Sequence, residues 1–148
     1  MAVHFPLALV ATATLVLSLA RIKALERYTM TLATVGTWNL CLGALGALVA
    51  LATGLAAVIH LEVQLPARLA ISLHVKWAIF STIGLLLLAA WRGAGTAEGS
   101  RPSRLFLVLL WAVTAALIVT GYRGGENVYR YGIGMTHNEA AAQLRREE

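Results

Sequence analysis

Four long stretches of apolar residues, separated by short polar links, dominate the pattern of the chain. They cover about residues 5–24, 31–60, 67–91 and 105–122. Each has about the length of a membrane-spanning helix, which needs roughly 17–25 mostly apolar residues. Since backbone groups in lipid must be paired inside the segment, the stretches are predicted to be helices. Short links join antiparallel neighbours, so the pattern predicts an all-α integral membrane protein, a four-helix bundle running up-down-up-down.

The whole chain, 1–148, is predicted to form a single transmembrane domain. A segment rich in glycine and tyrosine, 123–135, follows the last stretch, and a short charged tail, 136–148, ends the chain. Glycine permits backbone conformations with positive φ, and tyrosine suits a membrane interface. We therefore expect the segment from Gly124 to Met135 to fold back as a lid over the end of the bundle where it emerges.

Composition supports a membrane protein and excludes several functions. The chain is 59% hydrophobic and 13% charged, and its net charge of +5 comes mostly from residues that flank the spans, which gives no argument for nucleic acid. There is no aspartate, and every glutamate lies outside the four stretches. This argues against a hydrolase and against a pump driven by intramembrane carboxylates. The single cysteine, Cys41, rules out an internal disulfide and covalent haem attachment through a Cys-x-x-Cys-His motif.

Basic residues near the first span predict the orientation. No lysine or arginine precedes that span, whereas Arg21, Lys23 and Arg27 follow it. Cytoplasmic loops carry the excess of basic residues, so the N-terminus is expected outside. With four spans, both termini are then periplasmic, in the inner membrane of a bacterium.

The four histidines all fall at one end of the predicted bundle. His4 precedes the first span, His60 closes the second, His74 lies early in the third and His137 follows the fourth. Because alternate connections lie on the same side, all four are expected in one half of the membrane or just above it. Neutral imidazole is a common ligand of metals and of haem iron. A histidine layer on one side of a small bundle indicates a haem or metal site.

His74 is the strongest single candidate, because an ionisable residue inside an apolar run is by default a functional hypothesis. Small residues, Ala70 and Ala78, flank it one turn on either side, and His4 has small neighbours at the same spacing. Simpler roles for the histidines stay open. His74 could be a buried neutral histidine bonded to a backbone carbonyl or a serine. His60 could be an interfacial residue in the headgroup region, and His137 could simply be exposed.

Four cations on the histidine side could pair with haem propionates, with lipid phosphates as the alternative: Arg68, Lys76, Arg123 and Arg130. Lys76 lies about 200° around the helix from His74. It is therefore expected to extend to the interface beside Trp77 and could meet only a haem at a second site.

Three motifs support a resemblance to a known family. They are Val3-His4-Phe5-Pro6, His74, and Gly124-Gly125-Glu126-Asn127-Val128-Tyr129-Arg130-Tyr131-Gly132-Ile133-Gly134. With them the chain resembles, over nearly its whole length, a bacterial family of small four-span predicted membrane proteins of unknown function. That family is similar in layout to small b-type cytochromes. The resemblance implies non-covalent haem b and a periplasmic c-type cytochrome or dehydrogenase as partner.

The leading hypothesis is a b-type cytochrome, an electron-transfer subunit more than a stand-alone enzyme. It would link a quinone or another membrane partner to a periplasmic redox protein. His4 and His74 form the first expected pair of axial ligands, and His60 and His137 would hold a second haem.

Two alternatives remain from the sequence. The first is a copper or zinc site facing the periplasm, built from His4, His60 and His137 with Glu62 or Met135, since copper accepts imidazole and thioether ligands. The second is a structural membrane anchor without a cofactor, whose histidines only line the interface.

Overall fold

Three long helices make up most of the computed structural model, which describes residues 10, 12–13, 27–60, 65–94 and 101–134. The helices are α1 (Thr29–Ile59), α2 (Leu65–Ala94) and α3 (Arg104–Tyr129). Each is long and apolar enough to cross a membrane. Within these ranges the chain contains helices and turns and no strand, so its fold there is all-helical. The predicted first span lies outside the described residues except for Val10, Thr12 and Ala13.

The central helix of the three is α2, which packs against both α1 and α3. Leu40 of α1, Leu85 of α2 and Leu110 of α3 are completely buried and anchor the shared core. The contact between α2 and α3 is especially close at Gly84. A Cβ atom built on Gly84 would lie 2.6 Å from Cγ2 of Val113. Small residues allow this approach, which brings helices into van der Waals contact where lipid supplies no hydrophobic driving force.

The two halves of α1 differ in packing. All of its buried residues lie between Thr29 and Ala47, and none beyond Ala47 is buried. The stripe of small residues in this helix, which includes Gly36, Gly43 and Gly54, therefore has two parts. Gly36 and Gly43 are buried against the bundle, whereas Gly54 is exposed beside a cavity.

At the end of the bundle away from His74, α2 is longer than predicted and includes the buried residue Arg92. The third apolar stretch was predicted to end at residue 91, which left Arg92 in the link that follows, but α2 continues to Ala94 and Arg92 is only 4% exposed. Its Nε donates to Oγ1 of Thr37 at 3.1 Å, and its guanidinium carbon lies 6.0 Å from the ring centre of Phe106. Arg92 thus joins all three helices at that end.

The end of α3 is a second correction. The glycine-rich segment was expected to fold back from Gly124, but α3 remains helical to Tyr129. Glu126 contributes to this helical end, because it pairs with Arg123 at 2.9 Å and with Arg130 at 3.1 Å, at spacings that stabilise a helix. Glu126 therefore lies in the last turn of a membrane-capable helix, where the sequence analysis expected no carboxylate.

The chain turns only after Arg130. Gly132 has a positive φ of 63°, and its N–H donates to the carbonyl of Val128 at 3.0 Å. The N–H of Ile133 donates to the carbonyl of Asn127 at 3.1 Å, so these two carbonyls of the last turn are satisfied. The lid predicted for residues 124–135 is therefore wrong for residues 124–129, which are helical, and Met135 lies outside the described residues. Within the described part, Tyr129 is 73% exposed.

Candidate functional site

His74 lies on α2 and contacts α3 through a single polar bond. It is half-buried, and its Nδ1 lies 3.0 Å from the backbone oxygen of Thr120. A carbonyl oxygen can only accept a hydrogen bond, so Nδ1 carries the proton. In the neutral ring, Nε2 then holds the lone pair that can bind a metal.

A cavity of about 360 Å³ lies beside His74, between the second half of α1 and the facing parts of α2 and α3. Its volume is within the range of small-molecule sites, roughly 300–1,000 Å³. Much of its wall consists of small residues, which leave room between the helices: Ala47, Ala50, Gly54 and Ala78. The cavity lies beside the part of α1 beyond Ala47, in which no residue is buried.

Hydroxyl groups supply much of the polarity of the cavity wall, but most of their donor capacity is already used. The hydroxyl of Ser81 donates to the backbone oxygen of Trp77 at 2.8 Å, and that of Thr120 donates to Ala116 at 2.8 Å. The two hydroxyl oxygens lie 3.4 Å apart. None of the described residues in the wall carries a fixed charge. Such a wall suits a largely apolar group with one ligand bond better than a hydrated ion.

Two of the four candidate histidines, His60 and His74, lie among the described residues, and only His74 lines the cavity. His60 is exposed at the end of α1 and does not line the cavity. Its backbone N–H donates to the carbonyl of Ala57 at 3.3 Å. His60 and His74 lie towards the end of the bundle where α1 and α2 connect. His4 and His137 lie outside the described residues. Over the described ranges, no three histidine, cysteine or acidic side chains group into a metal site.

The four candidate cations are dispersed. Arg68 is exposed, and Lys76 lies in a shallow depression with Trp77 and Phe80, away from the cavity wall. Arg123 and Arg130 are both held by Glu126.

Asn127 is a buried polar residue that the sequence analysis missed. It is 7% exposed, and its Oδ1 is buried without a hydrogen-bond partner, as is Nε of Arg123. Asn127 follows Thr120 by seven residues, so the two lie on one face of α3. That spacing was visible in the sequence, but the glycines before Asn127 indicated a loop.

Comparison with protein families gives one finding. A family model with the description "Predicted membrane protein (DUF2231)" matches residues 1–137, which is most of the chain. Comparisons with curated proteins and with solved structures gave no match.

Proposed function

The chain belongs to the DUF2231 family of predicted membrane proteins, and from this premise we propose that it is a membrane-embedded b-type cytochrome, a haem-binding electron-transfer subunit. The observation that carries the proposal is the setting of His74. Its Nδ1 is tied to the Thr120 carbonyl and the residue lines a cavity between three helices. Histidines that bind metals usually donate their other ring N–H to such an acceptor, which fixes the tautomer and orients the ring.

The residues of the cavity fit a haem. A haem is flat and mostly apolar, and it needs little side-chain volume beside its plane. Ala47, Ala50 and Gly54 of α1 and Ala78 of α2 line the cavity, and the hydroxyls of Ser81 and Thr120 in its wall donate to their own helices. A bound haem would supply one-electron chemistry. The protein would ligate the iron through His74, exclude water and hold the ring.

We further propose the complete four-helix bundle, with residues 5–24 as its remaining helix and His4 as the second axial ligand. One contact supports this. Oγ1 of Thr12 lies 3.5 Å from Oγ1 of Thr114 on α3. Thr12, a residue of the predicted first span, therefore contacts the helix whose Thr120 bonds to His74. A second haem would use His60 and His137.

The proposed orientation puts both termini in the periplasm, with the protein in the inner membrane. His74 would then lie in the periplasmic half of the bundle, where a periplasmic c-type cytochrome or dehydrogenase can exchange electrons with its haem. A quinone or another membrane protein would be the partner on the membrane side.

The test is a visible spectrum of the protein purified from cells supplied with haem precursor. We expect the sharp bands of a reduced low-spin b-type haem and a non-covalent haem in the pyridine haemochrome assay. His74→Ala should lose at least half of the haem while circular dichroism keeps its helical signal, because insertion depends on apolar length. His60→Ala is the matched histidine variant and leaves the first haem in place.

Two results would change the assignment. Full haem content in His74→Ala together with loss in His60→Ala would show that the ligand lies on α1. A colourless wild-type protein made with ample haem would refute the cytochrome. Metal analysis of that colourless protein would then separate a copper or zinc site from a structural anchor.

A further inference from the structure

We propose that Arg123 and Asn127 form a binding site for a carboxyl group, and that this group is a propionic acid of the haem next to His74. The inference rests on the proposed function and adds a second point of attachment to it. Two buried atoms one turn apart on α3 carry it, the Nε of Arg123 and the Oδ1 of Asn127, neither of which has a hydrogen-bond partner. Asn127 is 7% exposed. Buried polar atoms without partners are rare in folded proteins, and each calls for an explanation.

The two atoms have complementary requirements. Nε of Arg123 is a donor and Oδ1 of Asn127 is an acceptor. A protonated carboxyl group satisfies both, since its carbonyl oxygen accepts from Arg123 and its O–H donates to Asn127. An ionised carboxylate fits after the amide of Asn127 turns by 180°, which presents the NH₂ group instead. The pair can therefore hold a carboxyl group in either protonation state.

The surrounding charges favour an acidic ligand. The Nη1 of Arg123 donates to Glu126 at 2.9 Å, and the other oxygen of Glu126 accepts from Arg130 at 3.1 Å. Two guanidinium groups on one carboxylate leave one net positive charge. The side chain of Arg130 is 70% exposed and pairs with Glu126 on its solvent side. The guanidinium group that would contact the ligand directly is therefore that of Arg123.

The position of the pair connects it to His74. Thr120, which holds the His74 ring, and Asn127 lie on one face of α3, about 10 Å apart along a helix that rises ~1.5 Å per residue. The carboxyl site is therefore nearer the end of the helix than the iron ligand. A haem carries both propionic acids on one edge, and that edge would face the end of α3. A membrane fatty acid carries the same group on an apolar body and is the competing source.

The experiment compares haem with its dimethyl ester, in which both propionic acids are blocked. Full-length apoprotein is titrated with each compound and followed by visible absorption. Asn127→Leu removes the polar atoms at similar volume. Asn39→Leu is the matched control, because Asn39 bonds to the carbonyl of Val35 on its own helix.

We expect wild type to bind haem about tenfold more tightly than the ester, the size of one net buried hydrogen bond. Asn127→Leu should lose this preference through weaker haem binding, with unchanged ester binding. Asn39→Leu should keep it.

Each contrary outcome has a distinct meaning. Equal binding of haem and ester by wild type, with a bis-histidine spectrum, overturns the carboxyl site and leaves the cytochrome standing. Equal weakening of both compounds by Asn127→Leu also overturns it, because Asn127 would then act only on helix packing. If wild type binds neither compound, the cytochrome fails. In that case a brominated fatty acid is tested as a quencher of tryptophan fluorescence. Quenching that is lost in Asn127→Leu and kept in Asn39→Leu would assign the site to a lipid acid. No quenching in wild type would overturn the site.

Discussion

Arg92 and Arg68 carry the same charged group in opposite surroundings. Arg92 is 4% exposed and donates from Nε to Thr37, whose own hydroxyl donates to the carbonyl of Ala33 at 2.9 Å. Arg68 is exposed at the start of α2. The buried guanidinium therefore contributes to the contact between helices, whereas the exposed one does not.

Replacing Arg92 tests this difference. Arg92→Met should lower the free energy of unfolding by ~1–3 kcal/mol, because Thr37 loses a charge-assisted hydrogen bond inside the bundle. Arg92→Lys should not restore it, since an ammonium group cannot reproduce a donor at the position of Nε. Denaturant unfolding in detergent, followed by circular dichroism, measures the change. The matched exposed variant, Arg68→Met, should stay within about 0.5 kcal/mol of wild type, and equal effects of the two substitutions would contradict the buried role.

At this scale the sequence identifies candidates better than their partners. His74 could be singled out because it interrupts an apolar run. Its hydrogen bond to Thr120 could not be predicted, since the two residues are 46 positions apart and a backbone carbonyl has no sequence signature. Arg92 and Arg68 could not be separated either, because both stand at the end of an apolar stretch.

Among the helices, the contact of α2 with α3 is especially tight at Gly84. Gly84→Ala would place a Cβ atom 2.6 Å from Cγ2 of Val113. Overpacking of this kind typically costs ~1–3 kcal/mol, so thermal unfolding in detergent should shift to lower temperature. Val113→Ala in the Gly84→Ala background should recover part of the loss by making room for the added methyl group.

Gly121→Ala is the control for that substitution, because nothing lies within 4 Å of a Cβ atom at this position of α3. There the change should be neutral or stabilising by up to about 1 kcal/mol, since alanine favours a helix more than glycine does. A loss at Gly121 as large as that at Gly84 would show that the α2–α3 contact is not the cause.

The ends of the helices show what an apolar pattern measures. The last stretch was predicted to end at residue 122, whereas α3 continues to Tyr129. Hydropathy marks only the apolar part of a helix. The last turn of α3 is polar and carries the ion pairs of Glu126, so an apolar pattern does not include it. The cavity was equally hidden, because the small-residue stripe of α1 looks the same before and after Ala47, and only the first part is packed.

For the molecule as a whole, the topology is the most direct test of the proposed orientation. Arg101 lies just before α3 and Tyr129 is its last residue, and both are exposed. In a Cys41→Ser background, Tyr129→Cys should react with a membrane-impermeant maleimide in intact spheroplasts. Arg101→Cys should react only after the membrane is permeabilised.

The opposite labelling pattern would show that the protein has the reverse orientation and that α3 still crosses the membrane. Labelling of both positions in intact spheroplasts would show that α3 does not cross the membrane.

The length of α1 has a consequence for the lipid around the protein. The helix has 31 residues and no charged side chain, and at ~1.5 Å per residue it is about 46 Å long. The hydrocarbon core of a bilayer is only about 30 Å thick, and the average tilt of about 20° does not absorb the difference. In vesicles of increasing acyl-chain length, polarised infrared spectroscopy should therefore show the helices standing progressively closer to the bilayer normal. The thickness of the host membrane would then set the tilt of the helices that enclose His74.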